Sequence, residues 1–485
     1  MRFLVLDPSR IDRQALEQTC LVGQEDLPYA GRAYLSGQQL IVERREDASA
    51  CLWAPWTLPD SGQWMLATST LMERSRPYLL EVELARGSVF RVRNQLALWE
   101  QLGLRATPEL RERVAKAMRS FAKAATRQQE HAKAALAADE ALRRAAAASV
   151  LLANLYSEQA IQVRVAATPR LPTLIGARLG ESCPSGENAD ALTEACSMVA
   201  VPAAWKTIEA SEGKRRWRST DDQMTWAHKQ GLRIACGPLL ELDEHCLPEW
   251  SYLWEGDFEA VASLMLAHVK AVVSRYKGRV QLWHVASRIN RSGVLSLTDE
   301  QRLQLAARAV RAAREIDPKT PIVVGFDQPW GEYMASQTSD LGPIDFADAL
   351  ERADLGISGF GIELNIGYAP GGSAARSPLE MSRLLDQWSL RLELPLLVSI
   401  TAPSSSEADP QANPRVRVVA GGLAPAAAVE TVSPPNEETH VLDEPPASAS
   451  ASDTQPLEPT RTAEADRLPV DDQFQTRWAH QHLPI

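Results

Sequence analysis

Seven short apolar runs dominate the chain after Leu171, and their alternation with amphipathic stretches constrains the fold more than any other feature. Apolar residues recur at helical spacing from Phe258 to Tyr276, and Thr298 and Ser377 are N-cap residues that begin two further helical stretches. Such alternation predicts a parallel sheet covered by helices. The seven runs are TLIGARL, SMVAVPAAW, LRIACGPLLEL, VQLWHVAS, PIVVGF, LGISGFGIEL and LPLLVSI.

A (β/α)8 TIM barrel over residues 171–402 fits this pattern best, within a chain of the α/β class. An open doubly wound sheet is the alternative, but no glycine-rich dinucleotide turn follows the first strand. Because only seven strand-like runs occur, the sequence predicts that the eighth strand is missing from this chain.

Two further units precede the barrel. Residues 1–105 contain alternating runs such as RAYLSGQQLIVERR and YLLEVELARGSVFRV, which predict a small β-rich, sandwich-like domain. Its Trp53, Trp56 and Trp64 are expected in a core rather than on a sugar-binding surface, since tryptophan is usually buried. Residues 106–168 are rich in helix formers and begin with a capping signal at Thr107-Pro108. They predict a helical hairpin with a break near 127–133, and one long helix is the alternative.

The end of the chain has a different composition. Residues 403–468 are rich in Pro, Ala, Ser and Glu, which predicts a disordered insert that could contact a protein partner through its acidic character. Residues 469–485 predict a terminal helix.

Bulk properties exclude several classes of protein. The net charge of −11 argues against nucleic-acid binding, which needs a basic face. No stretch approaches the ~20 apolar residues of a membrane span, and the N-terminus lacks a signal-like apolar run. A cytoplasmic location is therefore expected. The six cysteines form no CxxC pair, so we expect reduced thiols, no metal site and no cofactor.

Several stretches together resemble the family 10 glycoside hydrolases, the endo-1,4-β-xylanase type, over about residues 171–403. WKTIEASEGKRRW and GLRIACGPLLELDEHCLPEW resemble the family's second- and third-strand segments. HVKAVVSRYKGRVQLWHVAS resembles the helix, turn and strand that precede its catalytic acid, and LGISGF and LELPLLVSITAPS resemble its sixth and seventh strands. The resemblance implies a (β/α)8 barrel, a β-glycan ligand of the xylan type and hydrolysis of O-glycosyl bonds by two carboxylates.

The catalytic positions depart from the family pattern. Carried over residue by residue, the acid/base glutamate falls on Arg288 and the nucleophile on Ile400. Arginine cannot protonate a glycosidic oxygen at neutral pH, and isoleucine cannot attack an anomeric carbon. The family's own mechanism therefore does not transfer, and activity would require other carboxylates.

Polar residues at the predicted strand ends supply two alternatives. Glu363 with Asp327 or Glu241 forms a relocated acid and nucleophile pair, or these carboxylates are bound to Arg288 in a buried polar network. His284 is expected to be a packed, hydrogen-bonded side chain rather than a base. The chain is accordingly a glycoside hydrolase with displaced carboxylates or an inactive carbohydrate-binding or scaffold barrel. Candidate ligand-binding residues are Trp330, Gln328, Glu332, His284, Arg288, Asn365 and Trp205.

Overall fold

The computed structural model describes residues 1–403 except 46, 59–60, 169–170, 292, 337–338, 340 and 369–370, and further on only the strand residues 417–419 and 422–424. The predicted terminal helix at 469–485 and most of the predicted disordered insert at 403–468 lie outside the described residues. Within the described residues, no helix combines the length and the apolar character needed to cross a membrane.

The first 79 residues form two small sheets and one short helix. One sheet has the order β3-β4-β1-β7 and the other the order β2-β5-β6. Trp53, Trp56 and Trp64 lie on the second sheet and are buried, which confirms the prediction that they belong to a core. The elements are β1 (Arg2–Leu4), α1 (Arg13–Gln18), β2 (Cys20–Val22), β3 (Gly31–Ser36), β4 (Gln39–Arg44), β5 (Cys51–Leu58), β6 (Gly62–Ala67) and β7 (Tyr78–Leu79).

The interpretation of YLLEVELARGSVFRV as a strand is wrong, because only Tyr78–Leu79 is extended and helix α2 spans Leu80–Gln101. The misleading signal was the alternation of apolar residues with Glu81 and Glu83. Both glutamates are buried: Glu81 accepts a hydrogen bond from the Leu6 amide at 3.0 Å, and Glu83 pairs with Arg86 at 2.8 Å. A helix buried on most of its circumference carries no clear 3.6-residue pattern.

The helical hairpin is confirmed. Helix α3 spans Pro108–Thr126 and helix α4 spans His131–Ala167, so the break falls within the predicted range. The Thr107 side chain accepts a hydrogen bond from the Leu110 amide, as its capping role requires. Together with α2, these helices form a three-helix layer, in which α2 packs on β6 and α4 packs on β5 and on the helix Pro378–Arg391.

All seven predicted barrel strands are present, and they form one parallel sheet in the order of their sequence, with β11 paired to the end of β12. At least one helix lies between most successive strands, which is the connection that parallel strands require. The elements are β8 (Gly176–Arg178), α5 (Glu187–Ala195), β9 (Met198–Val201), α6 (Trp205–Ile208), α7 (Arg218–Lys229), β10 (Arg233–Cys236), β11 (Leu240–Glu241), α8 (Phe258–Tyr276), β12 (Leu282–Ser287), α9 (Asp299–Ile316), β13 (Ile322–Asp327), α10 (Pro343–Arg352), β14 (Gly359–Asn365), α11 (Pro378–Arg391) and β15 (Leu396–Thr401).

The barrel is incomplete among the described residues, in agreement with the prediction of a missing eighth strand. Its sheet begins at β8 and ends at β15. Leu396, Val398 and Ile400 of β15 pack against the hydrophobic core, whereas the alternate residue Ser399 is exposed. Two short antiparallel strands, β16 (Arg417–Val419) and β17 (Gly422–Ala424), follow within the segment predicted to be disordered.

The small sheets are attached to the barrel by a buried cation. The Arg376 guanidinium lies 4.1 Å from the ring centroid of Trp53 on β5 and 4.4 Å from that of Trp330 after β13. It also pairs with Glu332 at 3.3 Å. A guanidinium between two indole rings gains cation–π attraction on both faces. This contact fixes one side of the barrel mouth to the N-terminal sheets.

Candidate functional site

Polar side chains converge where the barrel strands end. Glu241 is the last residue of β11, Asp327 is the last residue of β13, and Glu363 lies two residues before the end of β14. Strand register places Asp327 beside Glu363 and Glu241 beside Ser287. In barrels of this type, ligands and chemistry occupy this end of the strands.

Arg288, the first residue after β12, lies at the centre of these groups. Its Nε atom is 3.5 Å from Glu241 Oε1, 3.4 Å from Asp327 Oδ2 and 3.7 Å from Glu363 Oε2. Its Nη1 atom donates a hydrogen bond to Asp243 Oδ2 at 2.7 Å. We call Arg288 and these four carboxylates the Arg288 cluster.

The backbone at Arg288 is strained. Its φ of 57° lies in the left-handed region, which costs a non-glycine residue about 1–3 kcal/mol. Gln328, the first residue after β13, has a φ of 48° and lies in the same region. Both strained residues begin loops at the barrel mouth, where such strain is concentrated in functional proteins.

Two further arginines contact the cluster. Arg178 of β8 pairs with Glu241 Oε2 at 3.1 Å, and Arg291 pairs with Asp327 at 3.3 Å. Asp327 is fully buried, and its Oδ1 accepts hydrogen bonds from the Asn365 side chain at 2.9 Å and from the Gln328 amide at 2.8 Å. The candidate carboxylates are therefore held by several donors each.

The charges nearly cancel. Four carboxylates (Glu241, Asp243, Asp327 and Glu363) face three guanidinium groups (Arg178, Arg288 and Arg291). Protonation of one carboxylate would leave the set neutral. A buried set of charges is stable only when its members are paired in this way.

Glu363 is the carboxyl group that carries the proton most readily. Burial and then the charge of Asp327 raise the pKa of Glu363 to about 7, against an ordinary 4.5. Burial also acts on Glu241, but the guanidinium groups of Arg178 and Arg288 outweigh it, so the pKa of Glu241 is lowered. The two glutamates thus differ in protonation near neutral pH.

His284 of β12 points toward the same carboxyl group. Its Nε2 atom is 3.8 Å from Glu363 Oε1, while the Ser287 hydroxyl donates a hydrogen bond to that oxygen. Burial, with the Arg178 charge, lowers the pKa of His284 to about 4. The His284 imidazole is therefore neutral at pH 7 and too weakly basic to act as a general base.

A glycine creates the space for this contact. A Cβ atom at Gly325 of β13 would lie 2.6 Å from both Glu363 Oε1 and His284 Nε2. Any side chain at this position would displace one of the two groups. Glycine at position 325 is therefore required for Glu363 and His284 to lie where they do.

Three predicted ligand-binding residues lie elsewhere. Trp330 is buried beneath Arg376, so its ring face is not available for stacking on a sugar, and Glu332 pairs with the same arginine. Trp205 is buried, donates a hydrogen bond to Glu209 at 3.2 Å and packs edge-on against Trp250. The sequence alone does not show that these residues lie outside the site, because a tryptophan that follows a strand can be either buried or exposed.

The strand β15 supplies no carboxylate to the site. Ile400 lies beside Leu364 and packs against the core, whereas Ser399 is in register with Glu363. Neither side chain could form a glycosyl ester of the kind that a retaining glycosidase makes.

Sequence reasoning missed several members of the site. Sequence patterns alone do not single out Asp243, Arg178, Asn290 or Arg291. Asn290 is fully buried and bonds both the amide and the carbonyl of Asp327, at 3.2 and 2.7 Å. The signal that the sequence offers is that the polar residues Arg288, Asn290 and Arg291 follow directly after an apolar strand.

We expect the Glu363→Gln variant to change how stability depends on pH. Because the folded-state pKa is raised, the stability contributed by the protonated carboxyl is complete below pH 4.5 and is lost as pH rises through 7. The pKa shift of Glu363 corresponds to roughly 3 kcal/mol in the free energy of unfolding. The free energy of unfolding of the variant, measured in urea, should therefore increase relative to that of wild type as the pH rises from 5 to 8. Glu158→Gln, at an exposed position on α4, is the matched control, and parallel curves for Glu363→Gln and wild type would contradict the expectation.

Among the described residues, no group of three or more His, Cys, Asp and Glu side chains is arranged to hold a metal ion. Interleaved arginines account for this in the Arg288 cluster, since each of its carboxylates contacts a guanidinium group.

Comparison with known proteins identifies the barrel segment. Residues 175–325 match the sequence model of glycosyl hydrolase family 10, a range that includes Glu241 and Arg288 and ends before Asp327. Endo-1,4-beta-xylanase 3 of Hypocrea jecorina is 28% identical over 124 residues, which are 25% of this chain and 35% of that protein. Endo-1,4-beta-xylanase 1 of Gibberella zeae is 25% identical over 169 residues, 33% of this chain and 45% of that protein.

A solved structure, xylanase 10B from Thermotoga maritima, aligns with 47% of this chain and 70% of its own at a TM-score of 0.38 and 17% identity. This chain spans less than half the length of the two fungal relatives. The matched residues span the strands from β8 to the first residues of β13 and the family-like stretches from 205 to 287, so residues 175–325 form part of a divergent barrel that resembles the family 10 glycoside hydrolases of the xylanase type.

Proposed function

We propose that this protein is a glycoside-hydrolase-like barrel that binds a β-linked glycan of the xylan type without cleaving it. The resemblance to xylanases supports the ligand class. One observation carries the lack of cleavage: the Arg288 guanidinium contacts all three carboxylates that could act as a relocated pair. A glycosidase needs a carboxylate free to approach the anomeric carbon, and here each one is engaged.

A second candidate function rests on a different observation. The raised pKa of Glu363 and the lowered pKa of Glu241 give one protonated and one ionised carboxyl at neutral pH, which is the pair that glycoside hydrolysis requires. In this alternative, Glu363 is the acid and Glu241 the nucleophile, and the sugar would have to displace Arg288 from between them.

Hydrolysis assays separate the two candidates. We expect no turnover of xylan, aryl β-xylosides or aryl β-glucosides above the enzyme-free blank, with a family 10 xylanase as positive control. Titration calorimetry with xylohexaose should nevertheless show saturable binding. Turnover that is lost in Glu363→Gln would overturn the first candidate and establish the second, and the absence of both binding and turnover would reject both.

A further inference from the structure

The N-terminal sheets cover the loops that follow β13 and β14. In the second of these loops, the Ala375 carbonyl accepts a hydrogen bond from the Met65 amide of β6 at 2.7 Å. In the first, a Cβ atom at Gly331 would lie only 3.3 Å from Leu27 Cδ2 and from Pro28 Cδ, so the segment between β2 and β3 touches this loop directly. We call Leu27, Pro28 and Met65 the N-terminal wall.

Polar contacts hold the N-terminal wall against the barrel. The Gln387 side chain of α11 donates a hydrogen bond to Asp26, the residue before Leu27, at 2.7 Å. The Arg376 guanidinium lies between the rings of Trp53 and Trp330, where it gains cation–π attraction on both faces. Moving the wall away from the barrel would break both contacts, so the wall is a fixed part of the barrel mouth.

Side chains of the covered loops, and of the strand ends before them, are shielded from solvent. Each of six such residues is at most 8% exposed, namely Gln328, Trp330, Tyr333, Asn365, Ser373 and Arg376. A ligand at the barrel mouth therefore has no access to this side.

The opposite side of the mouth is open to solvent. The sheet order places β8 four strand positions from β13, and β9 four positions from β14. Four positions are half of the circle of eight strands on which this type of barrel is built. Across this diameter, side-chain exposure falls from 46% at Arg178 of β8 to 18% at Arg288 and to 0% at Asp327 of β13. The Arg288 cluster is therefore open towards β8 and closed towards β13 and β14.

The loop after β14 connects the N-terminal wall to the Arg288 cluster. Arg291 donates a hydrogen bond to the Gly371 carbonyl at 2.9 Å, and the same nitrogen lies 3.3 Å from Asp327 of the cluster. Four residues after Gly371, Ala375 bonds the wall. The wall and the cluster are thus joined by one short loop, and the closed side of the mouth begins directly behind Asp327.

We propose that the Arg288 cluster lies at the closed end of a blind glycan site, which admits the end of a β-linked chain from the β8 side and excludes the interior of a chain. This inference rests on the proposed function and specifies its ligand. A chain bound along its interior must enter the mouth on one side and leave it on the other. A chain that enters over β8 meets the N-terminal wall behind Asp327 instead. Oligosaccharides and polymer ends therefore fit the site, and the middle of a long chain does not.

Oligosaccharides with blocked ends test the blind site on the full-length chain. Titration calorimetry compares xylohexaose with three derivatives that carry a bulky benzophenone group at the reducing end, at the non-reducing end or at both ends. The doubly blocked derivative should bind at least about tenfold more weakly than xylohexaose, because neither of its ends can enter the site. At least one singly blocked derivative should bind within about threefold of xylohexaose, because its free end can still enter.

The benzophenone group also reports the side from which the chain enters. Xylotriose that carries the group at its outer end keeps it close to the barrel mouth. After irradiation, the label should lie on the loop that follows β8, residues 179–186, which mass spectrometry of the digested protein detects. Label on Leu27, Pro28 or Met65 would contradict entry from the β8 side.

Two calorimetric results would overturn the blind site in distinguishable ways. If the protein binds xylohexaose and its doubly blocked derivative equally well, the interior of a chain can bind, so the blind site is rejected and the proposed function stands. If the protein binds neither xylohexaose nor any of the derivatives, the proposed function fails and the blind site fails with it.

Discussion

Replacing Arg288 with Met is expected to lower the free energy of unfolding by about 3–5 kcal/mol at pH 7, because it leaves several buried carboxylates without their shared cation. Arg288 Nε lies 3.4–3.7 Å from three of them, and Asp327 is fully buried. The side chain of Met replaces the aliphatic part of Arg, so loss of packing by that part contributes little to the expected change. Urea unfolding followed by circular dichroism measures the difference.

The defect of Arg288→Met should depend on pH in a defined direction. The pKa values of Glu241 and Asp243 are lowered in the fold: burial opposes ionisation, but the adjacent guanidinium groups and, for Asp243, the His245 amide outweigh it. Their stabilising contribution is present above the unfolded-state pKa and is lost as pH falls. The difference from wild type should therefore shrink as pH falls below the ordinary pKa values of these groups, 4.5 for Glu241 and 3.8 for Asp243.

A matched arginine on the surface provides the control for this variant. Arg218 of α7 is almost fully exposed and lies 4.0 Å from Asp222. Arg218→Met should change the unfolding free energy by at most about 0.5 kcal/mol. An Arg288→Met protein as stable as Arg218→Met would show that the Arg288 cluster is not a network of coupled charges.

The second large effect is expected at Arg376. Its side chain is almost wholly buried between Trp53 and Trp330 and pairs with Glu332. Arg376→Met should lower the unfolding free energy by about 3–5 kcal/mol, since Glu332 then remains buried without a cation. The small N-terminal sheets should also separate from the barrel more readily, which limited proteolysis between the two units would detect.

A double substitution distinguishes the charge effect from the loss of packing. Arg376→Met with Glu332→Gln should recover a large part of the stability, because neither charge is then left unpaired. Arg308→Met on α9, which breaks the exposed 2.8 Å pair with Glu259 on α8, should leave the free energy of unfolding nearly unchanged. Equal losses in Arg376→Met and Arg308→Met would mean that Arg376 does not join the two units.

Sequence patterns were most informative where apolar periodicity and capping agreed. The helix from Phe258 to Tyr276 has the predicted ends, and Thr298 forms the complete capping box with Gln301 that the sequence indicates. Patterns misled at α2, where two buried glutamates, Glu81 bonded to the Leu6 amide and Glu83 paired with Arg86, imitate strand alternation. They also misled at Trp330, because its covering cation comes from Arg376, 46 positions later in the chain.

Local sequence patterns predict that parallel strands alternate with helices and that arginine follows the fourth barrel strand, where the resemblance to xylanases implies an acid. These are local properties, since periodicity and caps depend on residues a few positions apart. Which carboxylates Arg288 contacts depends on the assembled barrel, because Glu241, Asp327 and Glu363 come from three different strands. Electrostatic pairing depends on distance in space, and strand register fixes that distance only when the sheet is assembled.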